Sequence, residues 1–518
     1  PDGYTINKNY AEIKVDSDTL YQIEPVSGDA IIEVVYENHP VKGELTVVKK
    51  GEVLKDYGKD FKYEMENLAG AVFAIYAAED IYTADFQKDD AGNRILEYAK
   101  DTLVAELTTD ETGSATIKNL PLGNYRVVEK TAPDGFVHKK AEQNVQFVYV
   151  DQDTPAVVES VEFINERQKV EISVEKQDAE NGSTIAGAEF GLYAKEDIKA
   201  GGKVIVKADE QLCTAVTGED GTAIFEQNLP FGSYYIKELQ APDGFVSSDE
   251  IIEVTVSYQG QDVEVVRLKE IFKNQPTTVE FRKSDLTTGV ELDGATLTVL
   301  DKDGNEIDKW TSVKGEPHII KRLHVGETYI LREEFAPYGY LKAEEVEFTI
   351  TDTAEIQKVE MKDDVPIGRI IINKKGEFLS EVSWNDMVAG AMDSIWGYVT
   401  GSLKDVTFEI YAREDIKAAD GESDDYYKKD ELVATIKTDE LGIARTDDLP
   451  LGKYYVVEKE TADGFVLDGE PRDIDLTYRD QDTPVVTFDS EWQNSRQKAK
   501  VIVTKKEKDS DRVLEGGV

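Results

Sequence analysis

Cysteine is almost absent from this chain: Cys213 stands alone among 518 residues, so neither disulfides nor a cysteine-rich metal cluster can hold the protein together. Long apolar runs are absent too. No stretch approaches the roughly 20 residues a membrane helix needs, and no membrane insertion is expected of this stretch; nor is there a signal peptide, sorting motif or stop-transfer segment. Basic charge is scarce, with 59 Lys and Arg against 105 Asp and Glu and a formal net charge of -46, which argues against nucleic acid or anionic lipid as a partner. The four histidines, His39, His138, His318 and His324, form no zinc-like spacing. There is no Ser-His-Asp order, phosphate loop or nucleotide fingerprint, so the reading is of no metal, no cofactor and no turnover enzyme. DKDGN from Asp301 resembles the start of a calcium loop but lacks its remaining ligands, and reads as a hairpin turn.

What the chain does have is repetition. One phrase recurs four times: NLPLGNYRVVEKTAPDGF from Asn119, NLPFGSYYIKELQAPDGF from Asn228, LHVGETYILREEFAPYGY from Leu323 and DLPLGKYYVVEKETADGF from Asp448. Each reads as a Gly turn, a strand of alternating apolar and polar residues that ends on a glutamate, and a Pro/Gly loop. A second phrase opens each module as an alternating β-rich run that reaches a lysine: Lys49, Lys176, Lys283, Lys374 and Lys505. A third closes each module with an aromatic or apolar residue two before an amide: Tyr36 and Asn38, Phe163 and Asn165, Phe272 and Asn274, Trp492 and Asn494. The third module offers Met361 and Asp363 instead, with Asp364 an open alternative.

These phrases divide the chain. Residues 1–40 read as the C-terminal part of a truncated module, 41–167, 168–276, 277–366 and 367–497 as four whole modules, and 498–518 as the opening strand of another truncated one. The terminal PDGYTINK and RVLEGGV look like pieces of motifs seen whole elsewhere. The step from closing Asn to next opening Lys is short and identical for Asn38 to Lys49, Asn165 to Lys176 and Asn494 to Lys505. Linkers so short predict modules standing nearly end to end. A longer period is also present, since one and the same interval carries Lys176 to Lys505, Glu129 to Glu458 and Asn165 to Asn494. The fourth module carries an insertion near 378–403 with Trp384 and Trp396. It is read as including a short helix and packing on its own sandwich, with a partner-binding patch as the competing reading. Short strands separated by Gly, Asp and Pro, with no long amphipathic helix, point to an all-β array of antiparallel sandwiches. Cys213, in the alternating QLCTAV, is expected to be a buried small hydrophobe.

The three phrases together carry chemistry. A lysine, an amide and a glutamate that all point into an apolar interior would shift one another's protonation, since burial penalises the charged forms of both lysine and glutamate. A neutral amine is a nucleophile, and a protonated glutamic acid can polarise the amide carbonyl and relay a proton to departing ammonia. Contact within a fold supplies the effective concentration this slow exchange requires. Taken singly, a strand Lys or Glu is usually a solvated side chain; the triplet, repeated four times, is not so easily dismissed.

These residues resemble the B-type repeats of collagen adhesins and the SpaA-like pilin domains of Gram-positive bacteria, with a Tyr-x-x-x-Glu strand followed by Ala-Pro-x-Gly-Tyr/Phe. The resemblance implies prealbumin-like, immunoglobulin-like sandwiches with intramolecular isopeptide bonds: Lys49-Asn165, Lys176-Asn274, Lys283-Asp363 and Lys374-Asn494, assisted by Glu129, Glu238, Glu333 and Glu458. Glu334 remains an alternative to Glu333. The fourth module departs from the pattern with ThrAlaAspGly at 461–464. Asn38 and Lys505 are expected to be unpaired in this stretch. The implied role is a stalk or fibre of a cell-wall-anchored, extracellular surface structure. Its partners would be neighbouring modules and other copies in a fibre; an alternative is an adhesin whose modules bind host surface or matrix proteins.

Overall fold

The structure, a computed structural model, describes residues 2–14, 34–84, 88–388, 391–510 and 512–514. The chain divides into two compact units, Pro1–Pro242 with Val246–Gln275 and Asp243–Phe245 with Pro276–Val518. Each unit holds two β-sandwiches, and among the described residues there is no helix.

One plan is used four times. In the first sandwich the opening strand Lys42–Tyr57 lies beside the closing strand Ala156–Asn165 in parallel, and pairs on its other side with Ser114–Leu120. The facing sheet has the spatial order Leu103–Thr108, Val72–Ala77, Gly123–Thr131, Glu142–Phe147. The opening and closing strands pair in parallel again as Lys169–Asp178 with Val265–Asn274, Thr278–Asp285 with Gln357–Asp363, and Ile367–Val388 with Val485–Asn494. A four-stranded sheet completes each of these three sandwiches.

The two-residue period of a strand decides what faces inward. Along the opening strands the buried positions include Leu45, Val47 and Lys49; Ile172, Val174 and Lys176; Val279, Phe281 and Lys283; Ile370, Ile372 and Lys374. The lysine thus continues an apolar stripe. Along the tyrosine-containing strands the stripe is Tyr125, Val127 and Glu129, and along the first closing strand it is Phe163 and Asn165. Parity also separates the open alternatives: Asp363 and Glu333 are buried, whereas Asp364 is exposed and Glu334 half-buried.

Two modules extend their opening strand into a hairpin. In the first, Lys42–Tyr57 turns into Phe61–Asn67. In the fourth, Ile367–Val388 pairs with Ala391–Ser402, so the 378–403 insertion is a β-hairpin and the short helix read from its sequence does not form. Its alternating Phe378, Ser380, Val382 and Trp396, Tyr398, Thr400 carry a strand period rather than a helical one. The base of this hairpin packs on its own sandwich, with the Phe378 ring 5.3 Å from that of Phe465. The side chain of Trp384 lies outside the described residues.

Within each unit neighbouring sandwiches are clamped by a glutamine. Gln261 accepts from Ala132 N through its side chain at 3.0 Å and from His138 N through its backbone at 2.8 Å. Gln481 does the same for Ala336 N at 2.9 Å and Lys342 N at 3.0 Å. In the first unit the hairpin of the first module adds to this: Phe61, only 3% exposed, enters the second sandwich's apolar cluster with Leu54, Tyr57 and Tyr63 beside it. Cys213, on Gln211–Val216, is half-buried against the same cluster, less enclosed than the sequence suggested, and burial pushes its thiol up to about 12.

Candidate functional site

The shared register brings each expected triad together. The lysine stands directly opposite the residue two before the closing amide or acid: Lys49 opposite Phe163, Lys176 opposite Phe272, Lys283 opposite Met361 and Lys374 opposite Trp492. The glutamate comes from the facing sheet, opposite Phe73, Phe190, Leu297 or Phe408. All four glutamate strands have a register irregularity at that position. A bulge there re-aims side chains toward the interior, as bulges beside functional sites commonly do.

In the first sandwich Lys49 Nζ lies 3.0 Å from Glu129 Oε1, and Asn165 Nδ2 donates to the same oxygen at 2.8 Å. In the second, Lys176 Nζ is 2.8 Å from Glu238 Oε1 and donates to Asn274 Oδ1 at 2.5 Å, while Asn274 Nδ2 donates to both carboxylate oxygens of Glu238 at 2.9 Å. In the third, Lys283 Nζ is 2.9 Å from Glu333 Oε1 and bonds Asp363 Oδ1. In the fourth, Lys374 Nζ donates to Glu458 Oε2 at 2.7 Å and Asn494 Nδ2 to Glu458 Oε1. The four lysines and four glutamates have side chains 0–1% exposed.

The glutamate therefore bridges the lysine amine and the asparagine side chain in the three amide-containing modules. In the three amide-containing modules its contact falls on Asn Nδ2, not on the carbonyl oxygen that the sequence reading assigned to it; Asn165 Oδ1 and Asn494 Oδ1 have no hydrogen-bond partner among the described residues. Burial holds the ammonium groups of Lys49, Lys176 and Lys374 below the ordinary lysine value, against the opposing pull of the adjacent glutamate. Asp363 moves the other way, pushed up to about 7 chiefly by burial, with Lys283 opposing and Glu333 adding to the rise.

Aromatic rings wall three of the sites. Phe73 and Phe163 have centroids 4.8 Å apart, Phe190 and Phe272 4.9 Å, and Phe408 and Trp492 5.4 Å. Lys176 Nζ lies 5.4 Å from the Phe190 centroid and Lys374 Nζ 5.6 Å from that of Phe408. Asn38 is exposed, with Oδ1 accepting from Asn7 N at 3.1 Å, and Lys505 is exposed as well; neither joins a triad.

Several supporting residues escaped the sequence reading. Buried Thr109, Thr217 and Thr438 accept from the backbone N–H of Ala71, Ala188 and Val406 at 2.9–3.0 Å. A Gly four residues after each threonine, Gly113, Gly221 and Gly442, accepts from the backbone N–H of the triad lysine at 2.7–2.8 Å. The recurring Thr-x-x-x-Gly was the available signal. Thr461 Oγ, within the departing ThrAlaAspGly loop, accepts from Asn494 Nδ2 at 2.7 Å. Ser248 N and Ala343 N donate to the second oxygens of Glu238 and Glu333 at 2.9 and 2.7 Å.

The family model described as SpaA, prealbumin-like fold domain, matches residues 59–162, 170–270, 277–365 and 398–492, well over half of the chain. The protein belongs to that family, as a tandem array of its domains. Among solved structures it is similar to the Bacillus anthracis TIE protein, at 18% identity over 87% of this chain and 75% of that one, with a TM-score of 0.41. It is also similar to BcpA, the major pilin subunit of Bacillus cereus, at 17% identity over 62% and 99% with a TM-score of 0.30. The full-length major pilin SpaD from Corynebacterium diphtheriae matches at 18% identity over 62% and 98%, with a TM-score of 0.22. Membership rests on the family matches, not on these likenesses. No curated protein sequence matches the chain. Among the described residues no helix is long and apolar enough to cross a membrane, and no group of three His, Cys, Asp or Glu side chains is placed to hold a metal.

Proposed function

We propose that each triad closes an isopeptide bond and that the chain is a load-bearing stalk of a fibre or adhesin on a Gram-positive cell wall, outside the cell. The observation that carries this is the repetition of one buried Lys-Glu-Asn/Asp geometry on parallel first and last strands. Lysine Nζ attacks the side-chain carbonyl carbon, and a C–N bond forms as the bond to Asn Nδ2, or to one Asp oxygen, breaks. The glutamate takes a proton from the lysine and hands one to the leaving group, so ammonia departs from Asn165, Asn274 and Asn494 and water from Asp363. The reaction happens once per module, with no turnover.

The unreacted arrangement is a costly one. Lys49 Nζ lies near Glu129 yet in no hydrogen-bond geometry, and among the described residues Glu129 Oε2, Asn165 Oδ1 and Asp363 Oδ2 are buried polar atoms without a hydrogen bond. Buried unpaired polar atoms each cost about 1–3 kcal/mol, so a fold that retains them wants a reason. Turning a buried amine into an amide removes its charge. Closing a loop of about 100 residues would stabilise each module by about 4–5 kcal/mol if disulfide loop entropy transfers. Tension entering at the opening strand would pass through the bond into the closing strand beside it and bypass the facing sheet.

Intact mass of the denatured, reduced chain tests the proposal beside Glu129→Ala, Glu238→Ala, Glu333→Ala and Glu458→Ala. The parent is expected to lack three ammonias and one water, and each variant to regain one unit after correction for the substitution. Asp364→Ala should leave the deficit unchanged. A parent of full mass would leave four ordinary sandwiches and end the mechanical argument.

A further inference from the structure

We propose that the hairpin of the fourth module is a docking arm for a β-sandwich of the second module's type, seated directly after the fourth module as the second sits after the first. The first module supplies the built precedent. Its hairpin register pairs Gly51 with Glu66, Glu52 with Met65 and Leu54 with Tyr63, slips by a bulge after Leu54, and pairs Tyr57 with Phe61. The fourth module's hairpin pairs Gly376 with Gly401, Glu377 with Thr400 and Leu379 with Tyr398, slips after Leu379, and pairs Val382 with Trp396. The apolar quartet Leu54, Tyr57, Phe61 and Tyr63 therefore corresponds, position for position, to Leu379, Val382, Trp396 and Tyr398.

The two bases are also built alike. Arg167 lies over the Tyr63 ring at 4.0 Å with Nε 3.7 Å from Glu52, and Arg496 lies over the Tyr398 ring at 3.7 Å with Nε 3.7 Å from Glu377. Arg167 and Arg496 are separated by the same interval as the closing Asn165 and Asn494. Gly51 and Gly376 each face the loop aromatic, Phe136 or Phe465, so closely that a Cβ would collide with the ring.

The difference between the hairpins is what covers them. In the first, Tyr57 donates to Leu212 O at 3.2 Å, Tyr63 donates to Asn228 O at 3.0 Å, and Gln227 donates to Lys59 O at 3.3 Å, with Phe61 3% exposed. In the fourth, Leu379 is 52%, Val382 38%, Trp396 52% and Tyr398 37% exposed. An apolar quartet held in register by a bulge and an arginine clamp, whose side chains keep 37–52% of their surface exposed, is the mark of an interaction face. The strand that follows shares the complementary pattern. Val501 and Val503, 83% and 86% exposed, stand one such interval after Ile172 and Val174, both 0% exposed in the second sandwich. The occupant is thus a sandwich opened by such a strand, presenting an apolar edge like Leu212 and loop carbonyls like those of 227–229. This inference does not depend on cross-linking.

The test moves the arm to a site where its partner exists. In the full chain, residues 51–66 are replaced by a second copy of 376–401, so the transplanted hairpin faces the second module, and Trp310, Trp492, the native Trp396 and both copies of Trp384 are changed to Phe so that the transplanted copy of Trp396 alone reports. Acrylamide quenching of that tryptophan is expected to fall several-fold relative to Trp396 in an otherwise native chain whose Trp310, Trp384 and Trp492 are likewise Phe. The second module's melting should stay near its native value, whereas Phe61→Asp in the native hairpin should lower it. A transplanted tryptophan as accessible as the native Trp396 overturns the proposal, whether the arm rejects the module or fails to form. As a second measurement, residues 170–276 joined after Lys498 in place of 499–518 should protect the native Trp396. Concentration-dependent protection of Trp396 in the unaltered chain, with a matching dimer in sedimentation, would instead assign the face to a second copy and also overturn it.

Discussion

The first and third sandwiches hold the same three positions with different chemistry. In the first, Glu129 is the only carboxylate paired with Lys49 among the described residues, and the third position is the neutral amide of Asn165 beside the Phe73 and Phe163 rings. In the third, Lys283 lies between two carboxylates, Glu333 and Asp363, and the residues at the cage positions are Leu297 and Met361. The aromatics of the third sandwich sit elsewhere: Phe281 packs on Trp310 at 5.3 Å and on Phe348 at 5.4 Å. The site therefore does not require an aromatic cage. What the two sites share is burial and register, and the charge on Asp363 is met by an ion pair with Lys283 where no amide is present.

The comparison breaks most sharply when the glutamate is removed. Glu129→Ala leaves Lys49 buried with no carboxylate, so the first module should lose the cross-link, about 4–5 kcal/mol, and bear an uncompensated amine besides. Glu333→Ala removes the cross-link but leaves Lys283 bonded to Asp363. Its loss should be smaller by about 3 kcal/mol, because a buried ion pair survives. Calorimetry of the two variants measures the difference. Equal losses would mean that Asp363 does not compensate Lys283.

A second contrast is in pH. Asp363 has a folded pKa raised from the usual carboxylate value to about 7. Without a cross-link, the folded third module holds this proton more tightly than the unfolded chain, so its contribution to stability is complete below about pH 4 and lost as pH rises through about 7. Lys283→Met blocks the bond and also removes the one cation that opposes the rise. The third module of that variant should lose on the order of 2–4 kcal/mol between pH 5 and 8. Lys49→Met has no titrating electrophile in Asn165, and the first module should show a smaller slope over the same range. Denaturant midpoints at four pH values would measure both slopes, and matching slopes would remove Asp363 as the cause.

Smaller effects lie in the supports. Thr109 Oγ accepts from Ala71 N at 3.0 Å and donates to Leu68 O at 2.8 Å; Ser312 Oγ accepts from Ala295 N at 3.0 Å and donates to Leu292 O at 2.8 Å. Thr109→Val strips partners from two backbone groups in a buried site, at a cost of about 2 kcal/mol. Ser312→Ala does the same where the hydroxyl is less enclosed, and water can replace it, so about 1 kcal/mol is expected. Thermal melts of the two variants rank them.

Much of this was legible because strand parity is a strict rule. Once Leu45 and Val47 are read as core, Lys49 must follow them inward, and the same step turns Glu333 and Asp363 in while sending Asp364 out. The repeated phrases marked all four triads and the all-β array. The hairpin of the fourth module was not legible as such, because small residues at Ala389, Gly390 and Ala391 interrupt its alternation and resemble a helical stretch. The threonine supports were missed since Thr-x-x-x-Gly lies in turn-like, polar sequence whose buried hydroxyl only the fold discloses. The side of the asparagine that meets the glutamate was also beyond the sequence, which specifies a residue and not the rotation of its amide.

The tyrosine that begins each glutamate strand gives the finest contrast. Tyr125, Tyr234 and Tyr454 donate to the carbonyl of the proline four residues earlier, Pro121, Pro230 and Pro450, at 2.6–2.7 Å. The third module has Val325 at that place, and Tyr329 Oη instead accepts from His324 N at 3.0 Å. The same side chain thus ties the turn to its strand as a donor in three modules and as an acceptor in one. Tyr125→Phe should cost about 1 kcal/mol by leaving the Pro121 carbonyl unpaired. Tyr329→Phe strands a backbone N–H, a group whose single donor has no second route to satisfaction, and should cost at least as much. Hydrogen exchange at His324 separates the two cases: that amide should exchange faster in Tyr329→Phe, and an unchanged rate would show that the turn of the third module is held by its strand pairing alone.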